Sequence, residues 1–295
     1  MNFTTGAELL DLCKQSNKNI SEIMMMREQN TSDLTERQII DKMMSSLQIM
    51  KEAAHRGITQ EVKSVSGLIG GDAKKINDRS KKEKSVCGLI MSKAISRAMA
   101  VLEINAAMGR IVAAPTAGSC GILPGTLITV GEEFELNDEA LLQGLMTASA
   151  IGMIISRNAT VAGAEGGCQA ETGSAAAMAA AAVVELVGGT PEMALDAAAM
   201  CIKNILGLVC DPIAGLVEAP CEKRNAIGAA NALISAEMAL AGVKSIIPFD
   251  EVVDTMYRVG RCLPDELRET AMGGLAATPT GKKLHEQIFG NQKKK

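Results

Sequence analysis

The 295-residue sequence predicts an all-α fold, in which a single large domain has apolar central helices and glycine-rich loops that carry cysteines. Apolar residues recur three and four positions apart over long stretches that end at glycine. Alternation with period two is rare, and TLITV at 126–130 is the best candidate strand. Aromatic residues make up only 2% of the chain, against 28 Gly and 18 Met. We therefore expect a core built from close helix contacts.

The first helices have clear start and stop signals. Thr5 and Glu8 form a capping box before a short helix. Thr35 precedes a longer amphipathic helix, which is predicted to end at Gly57. A third helix is predicted over 86–108, and because it is apolar nearly all round we expect it to be well buried.

Six further helices are predicted downstream. Their expected limits are Asn137 to about Ser156, 170–187, Pro191 to Gly207 with Thr190 as N-cap, 226–241, Asp250 to Gly260, and a last helix that opens at Pro264. The helices at 170–187 and 226–241 are apolar on most faces. Such helices belong in the middle of a large domain.

The chain divides into four regions by composition. A helical region at 1–65 is followed by a glycine-rich and charged segment at 66–85, a core at 86–280 and a basic tail at 281–295. The segment SGLIGGDAKKINDRSKKEKS is expected to be a solvated loop. The alternative is that Gly70 and Gly71 form a turn that faces a ligand.

Composition excludes several classes of protein. The net charge is −4, and with one Tyr and no Trp nothing supports nucleic-acid binding. The N-terminus MNFTTGAELLDLCK lacks the pattern of a signal peptide. The longest uncharged apolar run, near 172–184, is shorter than the roughly 20 residues of a membrane span. We therefore expect a cytoplasmic protein without a membrane segment, in which the 8 cysteines stay reduced.

Three irregular segments interrupt the helices, and each contains cysteine. They are APTAGSCGILPG (114–125), AGAEGGCQAE (162–171) and CDPIAGLVEAPCEKRN (210–225). Irregular backbone inside an apolar protein is costly, because its N–H and C=O groups lose their helical partners. Such segments persist when they bind something, so we expect the three to form one site.

The first of these segments is a candidate anion site. Backbone N–H groups around Ala117, Gly118 and Ser119, together with the hydroxyls of Thr116 and Ser119, are suited to hold a carboxylate or phosphate. The segment lacks the GK[ST] of a phosphate-binding loop. A tight turn between helices is the alternative.

Five cysteines are expected to be packed thiols. Cys120 is one, since a Cys–His dyad has little support from His55 and His285, which lie near opposite ends of the chain. The other four fall within or at the ends of predicted helices, where cysteine is normally a small buried hydrophobe: Cys13, Cys87, Cys201 and Cys262.

The remaining cysteines, Cys168, Cys210 and Cys221, are flanked by glycine or proline in loops. Thiolates in a cytosolic protein favour zinc, copper(I) or an iron–sulfur cluster. Structural zinc sites usually have closely spaced ligand pairs and four ligands, which are not seen here. Three isolated thiolates suit a cubane cluster with one open iron better, although spacing alone leaves zinc open.

Long motifs resemble a known family. EINAAMGRIVAAPTAGSCGILPG, AEGGCQAE and CDPIAGLVEAPCEKRNA are similar to the α-subunit of the iron–sulfur-dependent L-serine dehydratases, also called L-serine ammonia-lyases. The similarity extends to SGLIGGDAKK and to the closing TPTGKKLHEQI. Several long ungapped motifs occur in the family's order, so the resemblance is specific.

The resemblance implies a helical catalytic domain that holds a 4Fe-4S cluster through Cys168, Cys210 and Cys221. The regulatory region of the family has no counterpart in this chain. In two-chain members that region is a separate β-subunit, which implies a hetero-oligomer with such a subunit.

The reaction implied is the conversion of L-serine to pyruvate and ammonia by β-elimination of water. The open iron would act as a Lewis acid on the substrate hydroxyl. Thr116 and Ser119 would hold the substrate carboxylate, near the turn at Gly70 and Gly71. Arg224 and Asn225 are further candidate contacts to the carboxylate or to a cluster sulfur.

The base that removes the α-proton is left open by the sequence. Glu165 and Glu171 flank Cys168, Lys74 follows the Gly70–Gly71 turn, and a histidine of the β-subunit is a further candidate, with His55 as the histidine of this chain. Glu165 is the catalytic carboxylate that we assign from the sequence.

Two alternatives belong to other classes. One is a cluster-bearing or zinc-bearing module that senses or binds without turnover. The other is elimination by pyridoxal phosphate, which requires a Schiff-base lysine beside a phosphate-binding loop in an α/β frame. The helical pattern argues against that second alternative.

Overall fold

The computed structural model describes residues 2–290, and within that range it contains thirteen α-helices and no β-strand. The helices are α1 Gly6–Ser16, α2 Ile20–Thr31, α3 Glu36–Thr59, α4 Asp72–Lys82, α5 Gly88–Ala106, α6 Ile122–Glu133, α7 Asp138–Asn158, α8 Gly163–Gly166, α9 Ser174–Leu186, α10 Pro191–Lys203, α11 Cys221–Leu240, α12 Phe249–Cys262 and α13 Pro279–Phe289. The predicted all-α fold is confirmed.

Helix α9 forms the centre of the core. Every residue from Ser174 to Val184 is buried, and seven of them are alanines, in the run AAAMAAAA at 175–182. The helix packs against α6, α7, α10 and α11. Small side chains allow four helices to approach this one closely, so the Ala-rich composition sets the packing.

Helix α5 is a second centre, surrounded by α3, α4, α6 and α11. Close contacts again depend on small residues. A Cβ atom added at Gly57 of α3 would lie 2.6 Å from the Ala100 side chain, and one at Gly125 of α6 would lie 2.6 Å from the Ala98 nitrogen. These glycines therefore let backbones meet where any side chain would separate them.

Helix α7 has the length and hydropathy of a membrane span, with a mean hydropathy of 1.3 in its most apolar window. That window is 67% buried in the protein, where α7 packs against α2 and α9. Such burial is typical of a core helix.

Two segments expected to be non-helical are helices. TLITV at 126–130 lies inside α6, because its apolar side chains are covered by α5 and α9, and tertiary packing overrides its β-type composition. The segment 66–85 is not a continuous loop, since 72–82 forms α4. Pairs of opposite charge four residues apart, Lys74 with Asp78 and Arg79 with Glu83, support that helix on its exposed face.

Near the C-terminus three boundaries differ from the predicted ones. Asp250 does not cap a helix of its own; α12 begins at Phe249, and the Asp250 carboxylate accepts hydrogen bonds from the first N–H groups of α1, 2.7 Å from the Gly6 nitrogen. Pro264 precedes only a single 3₁₀ turn. The predicted basic tail begins as α13, and its residues 291–295 lie outside the described part of the chain.

Candidate active site

The three loop cysteines come together from three separate segments. Cys168 lies between α8 and a π-helical turn at Gln169–Gly173, Cys210 lies in the connection from α10 to α11, and Cys221 is the first residue of α11. All three thiols are buried, with 4%, 2% and 7% of each residue exposed. The structure thus brings the three predicted cysteines to one region of the protein.

The thiols are close enough to change one another's acidity. A hydrogen bond from the Cys210 thiol, aided by the charge of Arg224, lowers the pKa of Cys168 to about 6. The pKa of Cys210 is raised, because its proton is held by Cys168 and because it is buried. Burial also raises the pKa of Cys221. Cys168 is therefore the most acidic thiol of the three.

The donor set suits a metal–sulfur group. Three buried soft ligands reach one region, with a guanidinium beside them to offset negative charge. No three His, Cys, Asp or Glu side chains within residues 2–290 lie close enough to share one metal ion. The chemistry of the three thiols, and not their spacing, is what suits a metal–sulfur group.

Glu171 is the carboxylate that reaches the cysteines. Its Oε1 accepts a hydrogen bond of 2.8 Å from the Thr116 hydroxyl, and its Oε2 lies 3.9 Å from the Cys210 sulfur. The Thr116 hydroxyl is also 3.0 Å from that of Ser119. Burial, together with the charge of Cys168, raises the pKa of Glu171 to about 7.

Two glycines make room for this carboxylate. A Cβ atom at Gly118 would lie 3.0 Å from Glu171 Oε1, and one at Gly163 would lie 2.8 Å from its Oε2 and 3.0 Å from the Cys210 sulfur. Gly118 belongs to the short 3₁₀ turn Ala117–Ser119, where the sequence predicted an anion site. The chain's own Glu171 faces that turn, so Thr116 orients Glu171 in addition to any contact with substrate.

Arg224 is held by the protein beside the cysteines. Its guanidinium donates to the Val209 carbonyl at 2.8 Å and to Asp211 Oδ1 at 2.7 Å. Asp211 is buried, and its Oδ2 accepts from the Leu275 nitrogen at 2.7 Å. Arg224 thus ties the start of α11 to the Cys210 loop, and Asp211 ties that loop to the segment after α12. These contacts position the guanidinium as a fixed charge near Cys168.

Asn225 joins two of the cysteine-bearing segments. Its Oδ1 accepts from the Gly121 nitrogen at 2.9 Å, and its Nδ2 donates to the carbonyls of Gly118 at 2.7 Å and Cys221 at 2.9 Å. The side chain is fully buried. Because its donors and its acceptor are used within the protein, the structure assigns Asn225 to holding the loops and does not support its predicted contact with substrate.

We expect Asn225→Ala to lower the free energy of unfolding by about 2–4 kcal/mol, because it leaves one N–H and one loop carbonyl without partners in the interior. Glu237→Ala, at an exposed position of the same helix, is the control and should change stability by less than about 0.5 kcal/mol. Chemical denaturation of both variants under reducing conditions measures the difference. Equal stability of the two variants would contradict the role of Asn225.

The turn at Gly70 and Gly71 leads into α4 and is anchored by a buried carboxylate. Both residues have positive φ, 141° and 77°, and a Cβ at Gly70 would lie 2.2 Å from the Val62 carbonyl oxygen. The N–H groups of Asp72 and Ala73, which open α4, donate to Glu103 Oε1 at 2.7 and 3.0 Å. This helix N-terminus is therefore already occupied by Glu103 and is not free for a substrate carboxylate.

A second buried carboxylate fixes the preceding turn. Glu218 Oε2 accepts from the Ser64 hydroxyl at 2.6 Å and from that of Ser66. Glu218 lies three residues before Cys221, so it attaches the SGLIGG segment to the cysteine loop. Hydrogen bonds from Ser64 and Ser66 to Glu218 therefore hold the SGLIGG segment beside the cysteine loop.

Glu103 faces a further buried carboxylate, Glu222, which follows Cys221. Glu103 Oε2 and Glu222 Oε1 each have no hydrogen-bond partner among residues 2–290, and both side chains are fully buried. Burial and the neighbouring Glu222 raise the pKa of Glu103 from 4.5 to about 7. A proton shared between the two groups would satisfy both oxygens.

We expect this pair to make stability depend on pH. Between about pH 4.5 and 7 the folded protein keeps a proton that the unfolded chain has released, so stability falls as pH rises through 7. In Glu103→Gln the amide oxygen still accepts hydrogen bonds from the first N–H groups of α4, and the amide N–H donates a hydrogen bond to Glu222. The amide itself does not titrate. The stability difference between wild type and variant should change by roughly 1–3 kcal/mol between about pH 5 and pH 8. If the free energies of unfolding of wild type and Glu103→Gln change with pH in the same way, no proton is shared.

The other candidate bases lie outside the cysteine site. Glu165 is exposed on α8, and no hydrogen bond within the described residues joins it to Glu171 or the cysteines. Lys74 pairs with Asp78, whose hydrogen bond raises the lysine pKa. His55 is exposed on α3 and lines a cavity of about 280 Å³ with Lys51 and other residues of α3, α5 and α6. Of the carboxylates beside Cys168, the structure brings Glu171 to the site and does not bring Glu165.

The five other cysteines divide into two groups. Cys13, Cys120 and Cys201 are buried as predicted, and burial raises the pKa of each to about 12. The prediction was wrong for Cys87 and Cys262, which are exposed. Both sit at helix ends, where the period of the helix no longer determines which face is covered.

Sequence reasoning missed the buried carboxylates Glu103 and Glu218. A signal was present for Glu103, the one acidic residue in the apolar stretch AMAVLEINAAM. A charge within an apolar helix is almost never buried without a partner. Glu218 gave no such signal, since its serine partners lie about 150 residues away in the chain.

Comparison with known proteins shows the family to which the chain belongs. Residues 15–276 match the family model described as serine dehydratase alpha chain. The chain is 50% identical to the probable L-serine dehydratase alpha chain of Bacillus subtilis (strain 168) over 98% of its own length and 96% of the relative's. It is 47% identical to the L-serine dehydratase alpha chain of Peptoniphilus asaccharolyticus over 97% and 98% of the two lengths.

A longer relative matches in part. The L-serine dehydratase TdcG of Escherichia coli (strain K12) is 37% identical over 93% of this chain, which spans 61% of that protein. In all three comparisons the matched part of this chain includes residues 114–225. The chain belongs to the serine dehydratase alpha chain family.

Proposed function

We propose that this chain is the catalytic subunit of an iron–sulfur L-serine dehydratase, which converts L-serine to pyruvate and ammonia by β-elimination of water. The observation that carries the proposal is the meeting of Cys168, Cys210 and Cys221 in one buried region beside Glu171. Membership of the serine dehydratase family supports serine as substrate.

Cys168, Cys210 and Cys221 would hold a 4Fe-4S cluster. When bound, such a cluster supplies a Lewis acid for the departing hydroxyl, because three protein ligands leave one iron open. Arg224 offsets the negative charge of the buried thiolates, and Asn225 holds the 118–121 segment against the start of α11. Burial of the site excludes bulk water, which strengthens these electrostatic interactions.

Glu171 is the proposed base of this chain. Its Oε1 is oriented by the Thr116 hydroxyl, which leaves Oε2, on the side of Cys210, to accept the α-proton of serine. Ser119 supports Thr116 from the other side. Within the site the N–H groups of Ala117–Ser119 remain the candidates for the substrate carboxylate. A histidine of a partner chain is the second candidate base.

A separate β chain is the proposed partner. The relatives from B. subtilis and P. asaccharolyticus are named alpha chains, and the longer E. coli relative contains sequence that this chain does not match. We infer a hetero-oligomer that works in the cytoplasm, where thiols stay reduced and available to iron.

Preparation of the chain without oxygen, with and without its partner chain, tests the proposal. We expect about four iron and four sulfide per chain, and pyruvate from L-serine when both chains are present. Stoichiometric zinc with no visible absorbance would favour a zinc module. A cluster that forms without any turnover of serine in the reconstituted complex would favour a sensing function.

A further inference from the structure

The connection between α12 and α13, residues 263–278, is attached to the cysteine site through its backbone. The Cys210 N–H donates to the Leu267 carbonyl at 2.8 Å, and the Glu269 N–H donates to the Cys210 carbonyl at 2.7 Å. One buried cysteine of the site is thus hydrogen-bonded to this connection through both of its backbone groups. The side chain of Glu269 therefore begins directly beside the candidate active site.

Glu269 is held in an unusual backbone conformation. Its φ is 64°, in the left-handed region that residues with a side chain seldom occupy, and Ala271 follows with a φ of 56°. Such conformations persist where the surrounding contacts impose them, and they are frequent at sites that bind a ligand. The hydrogen bonds of the connection with Cys210 supply that restraint here.

The charge of Glu269 acts on the same groups that form the site. Burial and the charge of Cys168 raise the pKa of Glu171 to about 7, and the charge of Glu269 adds to that shift. A hydrogen bond with Cys168 raises the pKa of Cys210, and burial raises that of Cys221; in both cases the charge of Glu269 contributes further. The Glu269 carboxylate therefore lies on the side of the connection that faces the thiols and Glu171.

Glu269 has no partner for its own charge among residues 2–290. The residue is half-buried, and its carboxylate forms neither an ion pair nor a hydrogen bond within that range. The neighbouring Arg268 pairs with Asp265, and Arg224 pairs with Asp211 at 2.7 Å. Both arginines near Glu269 are thus engaged with other carboxylates. A partly desolvated carboxylate of this kind favours a positively charged ligand.

The substrate of the proposed function carries one group that still lacks a partner. The α-proton of L-serine is assigned to Glu171, the hydroxyl to the cluster, and the carboxylate to the N–H groups of Ala117–Ser119. The α-ammonium group has no counterpart among these residues. A cation that leaves water for a buried site needs an opposite charge beside it, since its desolvation is otherwise too costly.

We propose that the Glu269 carboxylate binds the α-ammonium group of the substrate and thereby selects amino acids over hydroxy acids. The assignment rests on the proposed function. Substrate held at its carboxylate and at its ammonium group has its α-hydrogen fixed in direction, which favours transfer of that proton to Glu171. The two carboxylates then have different roles: Glu269 positions the substrate, and Glu171 accepts the proton.

Steady-state kinetics of the chain with its partner chain, prepared without oxygen, measure this role. We expect Glu269→Gln to raise KM for L-serine about 10- to 100-fold, the effect of losing one hydrogen bond to a charged group. The value of kcat should fall by less than about threefold, because the ground state and the transition state both carry the ammonium group. Glu269→Asp, which keeps the charge, should recover part of the loss.

A substrate analogue without the ammonium group identifies which contact is lost. The inhibition constant of 3-hydroxypropanoate, which keeps the carboxylate and the hydroxyl of serine, should change by less than about threefold in Glu269→Gln. An unchanged KM for L-serine overturns the assignment. An equal loss of affinity for L-serine and for 3-hydroxypropanoate overturns it as well, since the variant would then have damaged the whole site.

Glu266→Gln is the matched control, because Glu266 is an exposed carboxylate of the same connection. It should leave KM and kcat unchanged, and both variants should retain the iron content of the wild type. Loss of iron in Glu269→Gln would show that this residue holds the cysteine loop, which contradicts a role in substrate binding.

Direct binding separates this assignment from the proposed function. If the wild-type complex holds iron but forms no pyruvate, the proposed function fails, and titration calorimetry with L-serine still decides the role of Glu269. Weaker binding of L-serine to Glu269→Gln, with binding of 3-hydroxypropanoate unchanged, supports an ammonium site. Equal binding of L-serine to wild type and Glu269→Gln overturns it.

Discussion

We expect Cys168→Ser, purified without oxygen and reconstituted with iron and sulfide, to hold no intact cluster and to form pyruvate from L-serine at less than about one hundredth of the wild-type rate. Loss of a partner of a metal ligand typically costs 10- to 100-fold, and loss of a ligand itself should cost more. Cys210→Ser and Cys221→Ser should behave alike, because all three thiols serve one site. Iron and sulfide content and visible absorbance measure the cluster directly.

Two controls separate ligand loss from damage to the fold. Cys262→Ser changes an exposed thiol and should retain full iron content. Cys120→Ala is the stricter control, since Cys120 is fully buried and packs in the same apolar cluster as Cys221, with its sulfur 4.0 Å from the Val101 carbonyl. If Cys120→Ala loses the cluster as completely as Cys221→Ser, while its circular dichroism is unchanged, the ligand set is incorrect.

We expect Glu171→Gln to lower kcat by about 10²- to 10⁴-fold, the usual contribution of a general base. The amide can still accept from Thr116 at the present 2.8 Å separation, so the site should keep its shape. Iron content should remain at the wild-type level, which distinguishes loss of proton transfer from loss of the cluster.

Glu165→Gln is the matched control, because Glu165 lies in the same segment and is exposed. It should change kcat by less than about twofold, as surface substitutions away from a site usually do little. Thr116→Ala should give an intermediate decrease, since Glu171 keeps its position between Gly118 and Gly163 but loses its orienting hydrogen bond. A Glu171→Gln enzyme with nearly full kcat would place the base elsewhere, with the partner-chain histidine next to be tested.

Helix positions were largely accessible to sequence reasoning. The capping box at Thr5, the helix that begins after Thr35 and the Thr190 cap before Pro191 are present as predicted. Each signal is contained in a few consecutive residues, so local chemistry decides it. The three loop cysteines were found in the same way, from glycine and proline around them.

Features that depend on residues far away in the sequence could not be predicted from the sequence. TLITV has the composition of a strand, but α5 and α9 cover it as part of α6. Asp250 has the pattern of a helix cap, yet its carboxylate binds the first N–H groups of α1, 243 and 244 positions away. In both cases a partner remote in sequence determines the outcome.

The sequence by itself determined the all-α class, most helix starts, and the cysteines that form the candidate site. Helical periodicity, helix capping and turn formation each depend on residues that are close together in the chain. The tertiary structure decided that Glu171 and not Glu165 reaches those cysteines, and that Asn225 and Glu218 hold the loops together. The side chains of Glu165 and Glu171 are equally plausible next to Cys168 in the sequence. Only the π-helical turn after Cys168, and the space at Gly118 and Gly163, direct one carboxylate inward and leave the other in solvent.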